Sequence, residues 1–299
     1  MILCCGEALI DMLPRAIDTG EQGFVPYPGG AVFNTAIALG RLGAPSGYLG
    51  GLSDDLFGTM LTDALARSKV DSSLSPRSSR PTTLAFVTLT DGHAKYAFYD
   101  ENTAGRMFSY NDMPVLGEAV DTLFFGGISL VSEPQADTYA RLCQDAGTRL
   151  VMVDPNIRPG FITDEARYRA RLATMLNRAD IVKLSDEDMA WLGTDPETLL
   201  RDGAAAVLVT RGSQGVDVVT RMGTQTVAAD KVTVVDTVGA GDTFNAGFLA
   251  GLHRAGLLTR AALAAASTED LGKAAALGTR AAAITVSRAG ANPPWETEL

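Results

Sequence analysis

Thr122-Leu-Phe-Phe125, Leu150-Val-Met-Val153, Ile181-Val-Lys-Leu184 and Ala206-Val-Leu-Val-Thr210 are short apolar runs following one another between residues 122 and 210. Between them the chain turns amphipathic at helical spacing, over 133–146 and again over 164–178. Continuously apolar strands separated by helices mark a parallel sheet buried on both faces, because each crossover helix covers the strands it connects. The stretch predicts a mainly parallel central sheet in a three-layer α/β/α arrangement.

Working outward, the C-terminal third is alanine-rich over 240–256 and roughly 260–284, and alanine has the highest helix propensity. At the other end, Met1-Ile-Leu-Cys-Cys-Gly-Glu-Ala-Leu-Ile-Asp11 is apolar, has no basic leader and is interrupted by acids. It reads as a first buried strand rather than a signal peptide. Two stretches break the pattern. Residues 12–28 carry Pro14, Pro26 and Pro28 with little helical periodicity, and residues 82–100 alternate around Asp91-Gly92, a strong hairpin signal. They predict extra strands outside the main sheet, a small β lid from about 12–28 and 82–108, with plain antiparallel edge strands as the alternative. Linkers, repeats and low-complexity segments are absent from the sequence, so residues 1–299 read as one domain.

Composition narrows the function. The 299 residues are 46% hydrophobic and 20% charged, and 25 basic against 35 acidic residues give a formal net charge of −10. Neither a basic excess nor a basic stripe is present, so a nucleic-acid partner is not expected. Apolar runs fall short of the ~18 residues a membrane span requires. Cys4, Cys5 and Cys143 form neither a disulfide framework nor a zinc spacing, which favours a reducing, cytoplasmic setting. With only His93 and His253, and with Gly212-Ser-Gln-Gly215 lacking the first glycine of a nucleophile elbow, a serine hydrolase has little support. A Gly-x4-Gly-Lys-Ser/Thr loop is missing, and Gly6 stands alone where a dinucleotide fold would place Gly-x-Gly-x-x-Gly.

The chemistry concentrates in Val235-Asp-Thr-Val-Gly239-Ala-Gly241-Asp242-Thr-Phe-Asn-Ala-Gly. A β-rich run ends at 235, glycines follow, and a helix begins near 240. Glycines at a helix start let backbone N–H groups converge on a negative charge, and the helix dipole adds to the attraction. Asp242 then lies in the first turn, able to take a proton from a hydroxyl beside the phosphoryl group being attacked. Alone, such a turn is also an ordinary capped helix start. A second element, Pro28-Gly29-Gly30-Ala-Val-Phe-Asn34, opens another helix, with Asn34 one turn in and able to point its amide at the same opening.

These two runs resemble the two signature regions of the PfkB carbohydrate kinases, which have the ribokinase-like fold, and the likeness extends from Gly6 to about Pro293. The second signature of that family, Asp-Thr-x-Gly-Ala-Gly-Asp, occurs here without substitution at 236–242. The resemblance implies an ATP-dependent sugar kinase. Asp242 would be the catalytic base, and Gly239, Ala240 and Gly241 would form the anion hole. Asp11, Gly29, Gly30 and Asn34 would read the sugar. Thr210-Arg-Gly212-Ser-Gln-Gly215 would be the nucleotide turn, Lys183 and Ser185 would join the nucleotide site, and Ala282 would lie in the small-residue wall beside the adenine. The resemblance also implies Mg²⁺. Where many members carry Asn-x-x-Glu, this chain has Ser185-Asp-Glu-Asp188, leaving Asp188 or Glu187 to organise the ion through water. A K⁺ ion held by the carbonyls of Asp236 and Val238 is a further implication.

Asp154-Pro-Asn156-Ile-Arg158 resembles a stretch of fructokinases and 2-keto-3-deoxygluconate kinases in which the arginine faces the site. Keto-acid kinases also carry a lid arginine after paired tyrosines, whereas this chain has Phe98-Tyr99-Asp100, with Arg106 six residues on. An aspartate there would repel a carboxylate and accept bonds from a neutral sugar, so a ketohexose, fructose first, is expected. A 2-keto-3-deoxygluconate, ribose or nucleoside kinase is the alternative enzyme, and a catalytically silent sugar or nucleotide sensor the non-enzyme one. Exposed lid strands could pair two copies, although a monomer is equally compatible with the sequence.

Overall fold

The computed structural model describes residues 1–90 and 93–299, so the expected Asp91-Gly92 turn lies outside the described residues. The central sheet is eight-stranded, in the order β14-β13-β12-β11-β10-β9-β1-β4. Its parallel members are β1 (Ile2–Cys5), β4 (Ser46–Leu49), β9 (Thr122–Gly126), β10 (Leu150–Asp154), β11 (Ile181–Ser185) and β12 (Ala206–Thr210). The edge pair β13 (Val216–Thr220) and β14 (Gly223–Val227) runs antiparallel.

Because side chains alternate along a strand, each of these strands feeds two cores. Ile2, Cys4, Phe124, Leu150, Met152 and Leu208 face one layer, packed by α1 (Ala31–Arg41), α2 (Leu56–Arg67), α7 (Ala240–Arg254), α8 (Arg260–Ala265) and α9 (Thr268–Val286). Leu3, Cys5, Phe125, Val151, Val153 and Leu184 face the other, packed by α3 (Gln135–Gln144), α4 (Glu165–Arg178) and α6 (Pro196–Asp202). The short α5 (Asp186–Leu192) follows β11. The architecture is the expected three-layer α/β/α.

A second, four-stranded sheet, in the order β3-β2-β7-β8, is made by β2 (Leu9–Ala16), β3 (Gln22–Gly29), β7 (Leu84–Thr90) and β8 (His93–Tyr99). These are the stretches read as extra strands, although residues 100–108 add no strand. A short parallel pair, β5 (Leu52–Ser53) and β6 (Arg77–Ser78), lies apart from both sheets.

Two local expectations are corrected. The alanine-rich run from 260 is two helices, because Ala266 is extended and Ser267 caps α9 in a reciprocal pair with Asp270. Alanine propensity continues through the break, but the capping box satisfies the amides of a new start. The β-rich run ending at Val235 is not a strand either. Residues 228–239 cross the surface with Val234 and Val235 exposed, tied down where the amides of Val235 and Asp236 donate to Val286 O at 2.8 and 3.2 Å.

Candidate active site

A cavity of about 590 Å³ opens at the carboxyl ends of β1, β9, β10 and β11, the end of an α/β sheet at which ligands bind. Leu9 and Asp11 of β2 and Phe98 of β8 line one side, and Thr237–Asp242, the start of α7, lines the other. Phe98 meets Phe161 edge to face, ring centres 4.7 Å apart, so the second sheet touches the loop after β10 across the opening.

Gly239 caps α7 with φ 76°, a conformation glycine adopts at little cost. A side chain there would also strike Ala291, 2.7 Å from where its Cβ would lie. The first-turn amides of any helix lack intrahelical partners, and here the first turn borders the cavity. Asp242, third in the helix, is buried, and its Oδ2 accepts a hydrogen bond from Asn34 Nδ2 at 2.9 Å. Thr35 Oγ1 donates to its backbone carbonyl at 3.3 Å, so α1 and α7 are bolted together at the residues singled out in each. Burial raises the Asp242 carboxyl to about 7; Asp154 and Glu7 push it the same way, and Asn34 and Lys183 oppose them.

The second Gly-opened helix start is built differently. Gly30 precedes α1 with φ 106°, packed so tightly on Glu7 that a Cβ would come within 2.9 Å of the Glu7 carbonyl oxygen. The buried Glu7 carboxylate accepts from Ala31 N (2.8 Å), Val32 N (3.4 Å) and Ser129 N (3.2 Å), and burial raises its pKa. Asp11 reaches the cavity from β2, its carboxyl raised to about 6 by burial, with Gly29 leaving it room.

Deep between these walls, Lys183 Nζ donates to Asp154 Oδ2 at 3.0 Å, and Asn245 Nδ2 of α7 donates to the same oxygen at 2.7 Å. Both members of the ion pair are buried. The Lys183 nitrogen lies 3.6 Å from the point a Cβ on Gly241 would occupy, ordinary contact distance, so the ammonium sits directly under the helix start.

Asp11, Gly30, Arg158, Lys183, Val238, Gly239, Ala240, Gly241 and Asp242 lie on the cavity wall, and Gly29 and Asn34 stand directly behind it. Tyr99, Asp100 and Arg106 are not among the lining residues: Asp100 pairs with Arg106 at 3.0 Å, and Tyr99 is exposed. Strand alternation turns Phe98 inward instead, and the chain leaves β8 before Asp100 can follow. Asp188 also has another task. Its carboxylate accepts from Ser185 N, Ser185 Oγ and Ile157 N at 2.9, 2.7 and 2.8 Å, closing a capping box, whereas Glu187 is exposed. Thr210, Gly212 and Gly215 form the tight connection between β12 and β13, and Ala282 is half-buried on α9. Asp236 bridges Val238 N (3.0 Å) and Gly290 N (2.9 Å) through its side chain, tying the loop before α7 to the one after α9. Among the described residues, no group of three or more acidic, histidine or cysteine side chains is gathered to hold a metal.

Glu7, Asp154 and Asn245 were missed as site residues. A charge inside an apolar strand was the available signal: Lys183 sits in Ile-Val-Lys-Leu and Asp154 ends Leu-Val-Met-Val-Asp, and buried charges are kept only where they are paired.

The model of the pfkB family carbohydrate kinases matches residues 1–298. The chain belongs to that family. It is therefore a carbohydrate kinase, a phosphotransferase acting on a sugar. A fructokinase of Rhizobium leguminosarum bv. trifolii is 51% identical over 278 residues, covering 91% of this chain and 85% of the relative. Among solved structures, the fructokinase of Xylella fastidiosa with bound ATP superposes with a TM-score of 0.87 at 30% identity, covering 97% of this chain and 93% of that one. The fructokinase of Vibrio cholerae O395, solved with fructose, ADP and calcium ion, gives 0.79 at 25% identity, covering 97% and 94%. Among the described residues, no helix of this kinase is long and apolar enough to cross a membrane.

Proposed function

We propose that the kinase transfers the γ-phosphoryl group of ATP to a primary hydroxyl of a ketohexose, fructose first, with Asp242 as the base. The observation that carries the reading is the placement of Asp242: buried, held near pKa 7, and set in the first turn of a helix that borders the same cavity. A carboxylate with that affinity accepts a proton from a hydroxyl near neutral pH far better than an ordinary one. The α7 amides from Gly239 to Gly241 hold the phosphoryl oxygens, and Lys183 adds its charge from beneath.

Asp11 accepts from sugar hydroxyls, with Gly29, Gly30 and Asn34 shaping the floor and Arg158 the far wall. The preference for fructose rests on the 51% identity to a fructokinase and on this wall, no longer on Asp100, whose charge is spent on Arg106. The nucleotide lies along the exposed loop before α7, toward Ala282 and the turn at Thr210, Gly212 and Gly215. Magnesium, when bound with ATP, neutralises the phosphates. Glu187 at the start of α5 is the residue suited to order its waters, since Asp188 is saturated by donors. Carbonyls of Asp236 and Val238 would take K⁺.

The test is ADP release over fructose, ribose, 2-keto-3-deoxygluconate, inosine and adenosine. Fructose is expected to give the highest kcat/KM; a higher value for the keto acid overturns the substrate assignment.

A further inference from the structure

We propose that Asp154 is a positioning residue for phosphoryl transfer, clamping the Lys183 ammonium beneath the Gly239–Asp242 turn so that it meets the transferring group. The inference rests on the kinase reading above and adds the element that keeps its cation in place.

One oxygen, Asp154 Oδ2, accepts from both Lys183 Nζ (3.0 Å) and Asn245 Nδ2 (2.7 Å), while Oδ1 accepts from Asn156 N (3.2 Å). A single carboxylate thereby ties the end of β10, the middle of β11 and the second turn of α7, the helix that carries Asp242. Asn245 follows Asp242 by three residues, so the two side chains lie on the same face of α7, about one turn apart. Exposure is 2% for Asp154, 5% for Lys183 and 1% for Asn245. An ammonium so deep, without its carboxylate, would swing away or give up its proton.

For folding alone the ion pair is dispensable, because well-packed apolar residues of similar volume stabilise a buried site as well. Its geometry gives it another use. An ammonium carries three donors, and Asp154 takes one. The Lys183 ammonium borders the cavity and lies against the Cβ-less face of Gly241, at the helix start suited to anions. Fixed charge already in place costs no reorganisation when the phosphoryl group moves. Asp242 is faced by Asp154 from β10, Lys183 from β11, Glu7 from the loop after β1 and Asn34 from α1, with Asp11 and Arg158 farther along the wall. The two ends of the pair act oppositely on its proton: Asp154 favours the protonated base, Lys183 the ionised one.

The experiment is a double-mutant cycle with Asp154→Asn, Lys183→Met and both together. It reads kcat, sugar KM, the acid limb of the kcat/KM profile, ADP affinity by calorimetry, and Tm. Asp154→Asn should lower kcat on the order of tenfold to a hundredfold, as loss of one preorganised charge contact does, with sugar KM changed about threefold at most. In the Lys183→Met background the same change should cost almost nothing. The acid limb should move to higher pH in Lys183→Met and move less in Asp154→Asn, because that change removes the anion and unseats the cation together. Equal losses from Asp154→Asn in both backgrounds, or a limb unmoved in Lys183→Met, overturn the proposal. If Asp154→Asn does not fold, Asn245→Ala enters the cycle in its place, with the same coupling expected and the same additivity overturning it. Should wild type phosphorylate none of the sugars, the substrate assignment fails separately. The ADP affinities of the four proteins then decide, since losses that add, rather than couple, sink the clamp.

Discussion

Two helices of this kinase open on glycine turns with nearly interchangeable local physics, and they serve opposite ends. At α1 the free amides are filled from inside by Glu7, whose carboxylate takes Ala31 N and Val32 N and reaches Ser129 as well. At α7 the first turn borders the cavity with no side-chain cap, Ala240 N making a 3.3 Å turn bond to Thr237 O, and Asp242 is held by Asn34. A helix start is an anion site by default. Whether it becomes a joint or a ligand cradle depends on whether the fold supplies its own anion.

That contrast is breakable. The largest effect should come from Asp242→Asn, with turnover falling on the order of 10²–10⁴-fold, the range for losing a general base, while sugar binding survives. Near-normal turnover in a coupled assay would remove Asp242 from its role. The same change should raise stability. The folded carboxyl sits at about 7 against an ordinary 3.8, so the folded state binds the extra proton and wild-type stability declines as pH rises from about 4 to 7. Melting curves across that range should show the variant gaining steadily on wild type, by up to a few kcal/mol, and then running parallel above pH 7.

At α1 the signature should reverse. Glu7→Gln keeps one acceptor for the helix but turns a donor toward Ser129 N, so stability should fall by about 1–3 kcal/mol in urea titration, the cost of a buried unpaired group. Its kcat should change far less than that of Asp242→Asn. Equal kcat losses would mean that both helix starts are catalytic cradles.

The pH profile sharpens the picture further. In the free enzyme kcat/KM should drop about tenfold per pH unit below the Asp242 pKa, because the base is then protonated, and should level off above it. A limb near pH 4 would show that Asp242 is solvated as an ordinary acid.

Smaller effects separate the acids of α5. Asp188→Ala should destabilise by about 1–2 kcal/mol through its lost capping box, with the magnesium requirement unchanged. Glu187→Gln should leave stability alone and raise the magnesium concentration needed for half-maximal rate. The opposite pattern would return the ion to Asp188. Least of all, Asp100→Ala should alter fructose KM by about twofold at most, since Asp100 lies off the cavity wall in a half-buried pair with Arg106.

Much of this was legible beforehand. Strand and helix periods gave the layers because burial on both faces demands unbroken apolar runs, and the Gly-Ala-Gly-Asp turn announced itself through residue types that few other conformations need. Tyr99, Asp100 and Arg106 fall off the cavity wall because a local motif does not say where a strand ends. Phe98 turns in and Asp100 falls beyond β8, free to pair with Arg106. Sequence left Asp188 and Glu187 open because Ser-x-x-Asp serves both as a metal motif and as a capping box, and the structure closes the cap on Asp188.

The sequence by itself determined the three-layer sheet, the second set of strands, and two glycine turns suited to anions, since period, propensity and permitted φ are local properties. Only the tertiary structure decided which of those turns is filled from within. It also decided that Asp154, Lys183 and Asn245, from three separate elements, share one oxygen beneath the other turn. Burial and charge pairing are properties of neighbours in space, and strands far apart in sequence become neighbours only when the sheet assembles.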